Sequence, residues 1–213
     1  MARVSFFSCI LSAIAPQSSQ YTAQRAAIAP MAGRQKGVNN NTKKKVKQLA
    51  KDALTPSKLA QLIYRLSNER KPQNIIELGT CLGLTTAYLA KAAPNASIVS
   101  IEGCPETADV ARQNLSSLGL ADVKVLNGNF DVIFPEVLAK VETVDLVLVD
   151  GNQRKEATLE YFDQCLPKVH EGSLLIFDDI YWSKGMEEAW EKIKAHPQVT
   201  VTIDLFWIGL VYF

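Results

Sequence analysis

The chain lacks the cysteine and histidine spacings that structural metal sites and disulfide frameworks require. It contains four cysteines, with no C-x-x-C pair among them, and only two histidines. Neither a zinc site nor a set of disulfide bonds is therefore expected. Free thiols are typical of proteins in the reducing cytoplasm. We accordingly predict a cytoplasmic location.

The sequence also lacks long hydrophobic runs, and its first 51 residues contain no Asp or Glu. No apolar run reaches the ~18 residues of a membrane-spanning helix, so none is predicted. Nine of the 23 basic residues fall within the first 51 positions, which leaves 14 basic against 22 acidic residues in the remainder. The excess of acidic residues after position 51 argues against a catalytic domain that binds nucleic acid.

We interpret residues 1–51 as a basic, mostly disordered arm and residues 52–213 as one α/β domain. The arm also allows other interpretations. Its first fifteen residues end in Ala13-Ile14-Ala15, which fits the cleavage site of a secretory signal, and an acid-free leader with Arg and Ser fits an organellar transit peptide. Initiation further along the chain, at Met31, is a third interpretation.

A predicted buried strand, a glycine turn and a helix start follow one another at residues 75–90. The turn has the spacing E-x-G-x-x-x-G instead of the G-x-G-x-x-G of dinucleotide sites. A carboxylate before the first glycine would repel a pyrophosphate but suits a cationic ligand. The pattern resembles motif I of the class I S-adenosylmethionine (SAM)-dependent methyltransferases. That resemblance implies SAM binding by Glu77, Gly79, Thr80 and Gly83, with Glu77 facing the amino acid end.

Apolar runs of strand length alternate with amphipathic segments after the arm, which predicts a parallel sheet with helices on both faces. The predicted strands span residues 74–78, 97–102, 123–126, 144–150 and 173–177. The predicted helices begin near residue 55 and then span 85–91, 105–118, 132–138, 157–169 and 185–195. Two further strands, 199–205 and 207–213, leave no room for a helix between them, so they must form a hairpin. We therefore predict a Rossmann-like, doubly wound, mostly parallel seven-stranded sheet with one antiparallel strand, which resembles the class I methyltransferase fold.

Polar residues at the carboxyl ends of the strands are candidates for the binding site, because ligands of open α/β sheets bind there. Glu102 ends the second strand about twenty residues after the turn, where an acid commonly binds ribose hydroxyls. Asn129 and Phe130 follow the third strand. Methyltransferases usually hold the adenine at that point with a small polar residue and an apolar neighbour. The preceding Asn-Gly pair is also an ordinary turn signal.

Three carboxylates follow the fourth and fifth predicted strands, namely Asp150, Asp178 and Asp179. Like charges gathered in this way repel one another unless protons or a cation lie among them. Mg²⁺ prefers such oxygen ligands. The catechol and caffeoyl-coenzyme A type O-methyltransferases are similar here, and the resemblance implies that these three residues bind Mg²⁺ or another divalent cation. Alternatively, Asp178 and Asp179 cap the segment that follows.

Two residues depart from that family pattern. Asp179 stands where the family prefers Asn, and Gln153 stands where the catechol enzymes carry a lysine base. Lys155 lies close by and could supply that base, or it could be the exposed start of a helix. Tyr181 and Trp182 could wall a pocket for a planar or apolar acceptor.

These features predict a SAM-dependent methyltransferase that methylates an oxygen of a small molecule with the help of a divalent cation. The catalytic candidates are Asp150 and Lys155, and Asp150 also belongs to the cofactor-binding set. Two alternatives remain open. One is an RNA or protein methyltransferase that gathers its substrate with the basic arm, although the acidic domain weighs against nucleic acid. The other is a non-catalytic SAM- or nucleotide-binding Rossmann-like module. A homodimer is compatible with the sequence.

Overall fold

The computed structural model describes residues 27–28, 44–45 and 57–213. Ala27–Ile28 and Lys44–Lys45 pair as a short antiparallel ladder. Most of the predicted arm lies outside the described residues, so its targeting interpretations stay predictions. The predicted helix start near residue 55 also lies outside them. Within the described part of the chain, no helix combines the length and the apolar character that crossing a membrane requires.

A seven-stranded sheet forms the centre of the fold. Its strands in chain order are β1 (Asn74–Leu78), β2 (Ser97–Glu102), β3 (Lys124–Asn127), β4 (Leu146–Val149), β5 (Leu174–Asp178), β6 (Val201–Asp204) and β7 (Ile208–Tyr212). Their spatial order is β3-β2-β1-β4-β5-β7-β6. Strand β7 runs antiparallel to both of its neighbours, and all other neighbouring strands are parallel. The predicted mostly parallel sheet with one reversed strand is confirmed.

Six helices flank the sheet in the described part of the chain. They are α1 (Ser57–Arg70), α2 (Leu84–Ala92), α3 (Pro105–Ser117), α4 (Phe130–Leu138), α5 (Lys155–Cys165) and α6 (Lys184–Lys194). Helix α4 begins two residues earlier than predicted, because Asn129 caps it. Helix α5 ends at Cys165, earlier than predicted, and continues as a 3₁₀ turn over Leu166–Lys168. The cause is Pro167, whose missing N–H cannot extend an α-helix.

The central strands are buried on both sides, as their continuous apolar runs predict. Every residue of β4 is buried, and in β5 only the final Asp178 is partly exposed. One face of the sheet packs against α4, α5 and α6, and the other face packs against α1 and α2. Because both faces are covered, the carboxyl edge of the strands is the part of the sheet where polar groups can meet a ligand.

Trp190 on α6 packs against the C-terminal hairpin and so connects it to the rest of the domain. Its side chain is 1% exposed and belongs to the core. The ring lies directly over Gly209 of β7, where an added Cβ would approach a ring atom to 2.5 Å. The hairpin register then places Ile208 opposite Asp178. The turn at residues 205–207 therefore lies beside the carboxyl end of β5.

Asp145 forms hydrogen bonds at the opposite edge of the sheet, where the strands begin. One carboxylate oxygen accepts hydrogen bonds from the backbone N–H groups of Gln73 and Asn74, at 2.7 and 2.8 Å. The other oxygen lies 2.8 Å from Nε2 of His170. Partial burial alone would raise the pKa of Asp145, but the hydrogen bonds from Asn74, Gln73 and His170 lower it overall.

We expect Asp145→Ala to lower the free energy of unfolding by about 1–3 kcal/mol at neutral pH, because two strand-end N–H groups lose a charged acceptor. A carboxylate with a depressed folded-state pKa stabilises the protein above its unfolded-state pKa, and this stabilisation is lost as pH falls through the folded-state value. The difference in unfolding free energy between the parent and Asp145→Ala should therefore become smaller below about pH 4. Urea denaturation at several pH values measures it. Asp122→Ala, at an exposed position, is the control. A difference in unfolding free energy that stays constant as pH falls would contradict stabilisation by the charged form of Asp145.

Candidate active site

The glycine turn between β1 and α2 owes its shape to a close approach of two strand ends. Gly79 has a φ of 104°. A side chain there would place its Cβ 2.1 Å from the carbonyl oxygen of Asp150, just beyond β4. Glycine is therefore required at this position by both conformation and space. Cys81 and Gly83 also have positive φ angles, 50° and 79°, and Gly83 is the residue that precedes α2.

Glu77 lies at the end of β1, fully buried beneath the turn. Its Oε2 atom accepts hydrogen bonds from the hydroxyls of Thr86 and Ser100, both at 2.5 Å. The Ser100 hydroxyl is in turn 2.5 Å from that of Thr80. The other carboxyl oxygen of Glu77, Oε1, is buried without a hydrogen-bond partner in the structure. The structure thus brings Glu77 and Thr80 together through Ser100 and leaves one acceptor atom for a ligand.

Burial raises the pKa of Glu77 to about 7, even though the hydrogen bonds from Ser100 and Thr86 oppose the shift. The nearby charge of Glu102 raises it further. A positively charged ligand with N–H donors would satisfy the unpartnered oxygen and stabilise the ionised form. Sequence reasoning missed Ser100; the available signal was a single hydroxyl within the otherwise apolar run of β2.

Glu102 ends β2 and is 1% exposed. Its two carboxyl oxygens accept hydrogen bonds from the backbone N–H groups of Cys81 and Cys104, both at 2.9 Å. Burial raises the pKa of Glu102 despite these bonds. The residue therefore ties the glycine turn to the end of β2. Each carboxyl oxygen has a further lone pair, so binding of ribose hydroxyls stays a prediction.

Asn129 and Phe130 have clear structural roles in the described fold. The Asn129 side chain accepts a hydrogen bond of 3.0 Å from the backbone N–H of Asp131 and so caps α4. Phe130 is 7% exposed. Its ring packs against Gly151, where an added Cβ would approach a ring atom to 2.6 Å. Their contact with an adenine ring stays a prediction.

The three acids at the ends of β4 and β5 lie near enough for their charges to interact, and their binding of a cation stays a prediction. Asp150, Asp178 and Asp179 are each partly buried. Burial, above all, raises the pKa of Asp150 well above its ordinary value, and the charge of Asp178 and a hydrogen bond to it raise it further. Smaller contributions come from the charges of Glu77 and Asp179. The closeness of Asp178 thus opposes ionisation of Asp150.

Asp179 directly follows Asp178 in this acid cluster. Its φ of 56° is unusual for a residue other than glycine. The carboxylate accepts a hydrogen bond of 3.2 Å from the side-chain amide of Gln153. The residue that replaces the family's lysine thus contacts the residue that replaces its Asn. Among the described residues, no three His, Cys, Asp or Glu side chains form a ready-made metal site.

Lys155 is paired with an acid that does not belong to the acid cluster. It begins α5, and its ammonium group forms an ion pair with Glu188 on α6. The hydrogen bond to Glu188 raises the pKa of Lys155. A general base must be neutral before it accepts a proton. This ion pair argues against Lys155 as the base, and its catalytic role stays a prediction.

A hydrogen-bond network that sequence reasoning missed holds the loop after β4. Asn152 has a φ of 56°, and its side-chain amide donates to the Tyr161 hydroxyl at 2.8 Å. Tyr161 donates in turn to Asp131 at 2.6 Å. Arg154 donates to the Asn152 side-chain oxygen at 2.8 Å. The network links the loop that carries Gln153 to both α4 and α5.

Comparisons with known proteins agree with this geometry. Residues 76–180 match the methyltransferase domain family. A catechol O-methyltransferase of Niastella koreensis is 30% identical over 126 residues, which cover 58% of this chain and 55% of that protein. A catechol O-methyltransferase of Sus scrofa is 32% identical over 128 residues, or 58% of this chain and 68% of that protein. The chain spans about half the length of several of the curated relatives it matches.

The fold has solved counterparts. An O-methyltransferase from Streptomyces achromogenes, solved in complex with SAM, superposes with a TM-score of 0.68 at 22% sequence identity. The match covers 79% of this chain and 87% of that structure. At this level of identity the likeness supports the fold.

Glu77→Gln should change how the stability of the ligand-free protein depends on pH. A buried carboxyl whose folded-state pKa is raised from 4.5 to about 7 contributes stability that is fully present below its unfolded-state pKa and is lost as pH rises through the folded-state value. We expect the parent to lose roughly 3 kcal/mol of unfolding free energy from this group between about pH 4.5 and 8. The Gln variant should not lose that amount.

Urea denaturation of parent and variant across this pH range measures the difference between their slopes. Glu136→Gln, which changes an exposed residue of α4, is the matched control and should follow the parent. Equal slopes for the parent and Glu77→Gln would contradict the buried, protonated state of Glu77.

Proposed function

The chain belongs to the class I SAM-dependent O-methyltransferase family that includes the catechol O-methyltransferases, and we propose on that basis that it transfers the methyl group of SAM to an oxygen of a small molecule. The observation that carries the proposal is the buried Glu77, whose Oε1 lacks a hydrogen-bond partner at the glycine turn. The acid cluster lies next to this turn, since Gly79 contacts Asp150. In this proposal, the cofactor-binding residues and the acceptor-binding residues are therefore neighbours.

The residues of the turn and of β2 hold the cofactor in this proposal. SAM, when bound, supplies a methyl group on a positively charged sulfonium. Glu77 accepts hydrogen bonds from the cationic amino acid end, and Glu102 accepts them from the ribose. Phe130 and Asn129 border the adenine. These fixed contacts align the methyl carbon with the acceptor oxygen, and alignment of this kind accounts for a large part of the rate of group transfer.

The acid cluster has a donor set that fits a hard divalent cation such as Mg²⁺, which takes carboxylate oxygens and water as ligands. The supporting observation is the closeness of Asp150 and Asp178, which raises the pKa of Asp150, because a bound cation would relieve the repulsion between the two carboxylates. We propose that Asp150, Asp178 and Asp179 hold the cation. When bound, it lowers the pKa of an acceptor hydroxyl and stabilises the resulting oxyanion.

A second candidate function is a SAM-binding module without transferase activity. Gln153 cannot act as a base, and it is engaged with Asp179. Lys155 is engaged with Glu188. A chain that binds SAM but transfers no methyl group would fit these two contacts.

The remaining features of the chain are also proposals. We propose that residues 52–213 form the functional domain and that residues 1–51 are a separate arm. A cytoplasmic location agrees with Cys81, Cys104 and Cys165, which are buried free thiols.

The parent protein is expected to bind SAM but not NAD in titration calorimetry, and Glu77→Gln should weaken SAM binding about tenfold or more, because a charge-assisted hydrogen bond is lost. Glu136→Gln should bind SAM as the parent does. Methyl transfer is then measured with labelled SAM and a panel of catechols, phenols, carboxylates and RNA. Absence of SAM binding at high micromolar concentrations rules out the proposal. SAM binding without transfer to any acceptor selects the second candidate.

Cation binding is tested by titrating Mg²⁺ alone into the parent and two variants. Asp178→Ala should lower the Mg²⁺ affinity at least about tenfold, because a charged ligand is lost. Asp179→Asn restores the residue that the family prefers and keeps an oxygen ligand, so it should retain most of the affinity. EDTA should reduce methyl transfer by the parent. An unchanged Mg²⁺ affinity in Asp178→Ala removes the cation from the mechanism.

A further inference from the structure

Four exposed aromatic side chains lie at the same edge of the sheet as the acid cluster. Tyr181 and Trp182 are 37% and 49% exposed and follow Asp179 in the loop after β5. Phe206 and Trp207 are 60% and 57% exposed and form the turn between β6 and β7. Large exposed apolar side chains gathered in one place commonly mark a binding surface.

The rings of the two segments contact one another. Tyr181 stacks on Phe206 with ring centroids 5.5 Å apart and an interplanar angle of 23°. Phe206 meets Trp207 edge to face at 5.1 Å and 90°. Both arrangements are among the preferred geometries of aromatic pairs. We call Tyr181, Phe206 and Trp207 the aromatic wall.

Asp204 at the end of β6 connects the wall to the core. Its Oδ2 atom accepts hydrogen bonds from the Tyr181 hydroxyl at 2.7 Å and from Nε1 of Trp190 at 2.9 Å. Its Oδ1 atom accepts one from the backbone N–H of Phe206 at 2.9 Å. One carboxylate therefore binds the loop after β5, helix α6 and the hairpin turn together.

Two observations indicate that this connection fixes the wall. Phe206 has a φ of 68°, which is uncommon for an aromatic residue and must be held by its surroundings. Trp190 is a rigid anchor, because it is buried over Gly209. The carboxylate itself is exposed, so solvent could solvate it without these three donors. Its engagement by all of them sets the relative position of two loops that are far apart in the sequence.

We propose that Asp204 is a positioning residue for the methyl acceptor. It holds the aromatic wall beside Asp178 and Asp179, so that the apolar body of an acceptor packs against the rings while its oxygen points toward the acids. The proposal rests on the proposed function. It assigns Asp204 no contact with SAM, and its effect passes through Tyr181 and Phe206.

The test compares Asp204→Ala, Tyr181→Phe and Phe206→Ala with the parent. Asp122→Ala, which changes an exposed residue before β3 at the other edge of the sheet, is the control. SAM affinity is measured by calorimetry. Catechol is the acceptor probe, both for binding to protein loaded with S-adenosylhomocysteine and for kcat and KM with labelled SAM. The binding measurement does not depend on turnover.

Asp204→Ala and Phe206→Ala should each weaken catechol binding and raise its KM about tenfold, with SAM affinity and kcat changed less than about twofold. Tyr181→Phe keeps the stacked ring but loses the bond to Asp204, so it should change KM in the same direction by a smaller factor. Asp122→Ala should match the parent. Should Asp204→Ala fail to fold, Phe206→Ala and Tyr181→Phe carry the test.

Three results overturn the proposal. One is catechol binding in Asp204→Ala and Phe206→Ala that equals the parent's. Another is a parent protein that binds SAM but not catechol. That result would contradict acceptor binding at the aromatic wall and would leave the proposed SAM site unaffected. The third combines two findings: light scattering shows that the parent is a dimer, and Phe206→Ala is a monomer whose catechol affinity is unchanged. The aromatic wall would then be an interface between two copies of the chain. A parent that does not bind SAM contradicts the proposed function instead.

Discussion

The contact between the ends of β1 and β4 is the constraint on which the rest of the site depends. The backbone N–H of Asp150 donates to the carbonyl of Leu78 at 2.8 Å, and the carbonyl of Asp150 fills the space that a side chain at position 79 would occupy. The strand order changes direction between these two strands, which opens a crevice at their carboxyl ends. The glycine turn lies on one side of this crevice and the acid cluster on the other. A methyl donor bound at the turn is therefore necessarily a neighbour of an acceptor bound at the acids.

The acids of the two sheet edges differ in a way that separates structural from functional groups. At the starting edge, hydrogen bonds lower the pKa of Asp145 and so stabilise the charged form and the fold. At the carboxyl edge, burial raises the pKa of Glu77 and of Asp150, so ionisation of either carboxyl group destabilises the fold. Groups with such shifts concentrate at functional sites, where a ligand supplies the missing charge. The contrast within one sheet supports the proposal that cationic groups bind at the carboxyl edge.

Much of the fold could be predicted from the sequence, because strand and helix periods, glycine positions and the absence of a helix before the final strand are all local signals. The placement of Glu77 and of the three acids followed from the rule that strand ends meet at one edge. Contacts between distant segments could not be predicted. Lys155 pairs with Glu188 because α5 packs beside α6, and Asp204 binds Tyr181 because the hairpin register sets the turn beside β5. No spacing in the sequence encodes either contact.

The two departures from the family pattern act together. Replacing a lysine by Gln153 and an Asn by Asp179 each makes the acid edge one charge more negative, and the two side chains meet at 3.2 Å through a neutral donor. A neutral amide compensates a carboxylate far less than an ammonium group does. Under the proposed function, a base at position 153 is replaced by stronger dependence on a cation. The task of lowering the acceptor's pKa then passes to whatever Asp150, Asp178 and Asp179 bind, while the aromatic wall holds the acceptor in place.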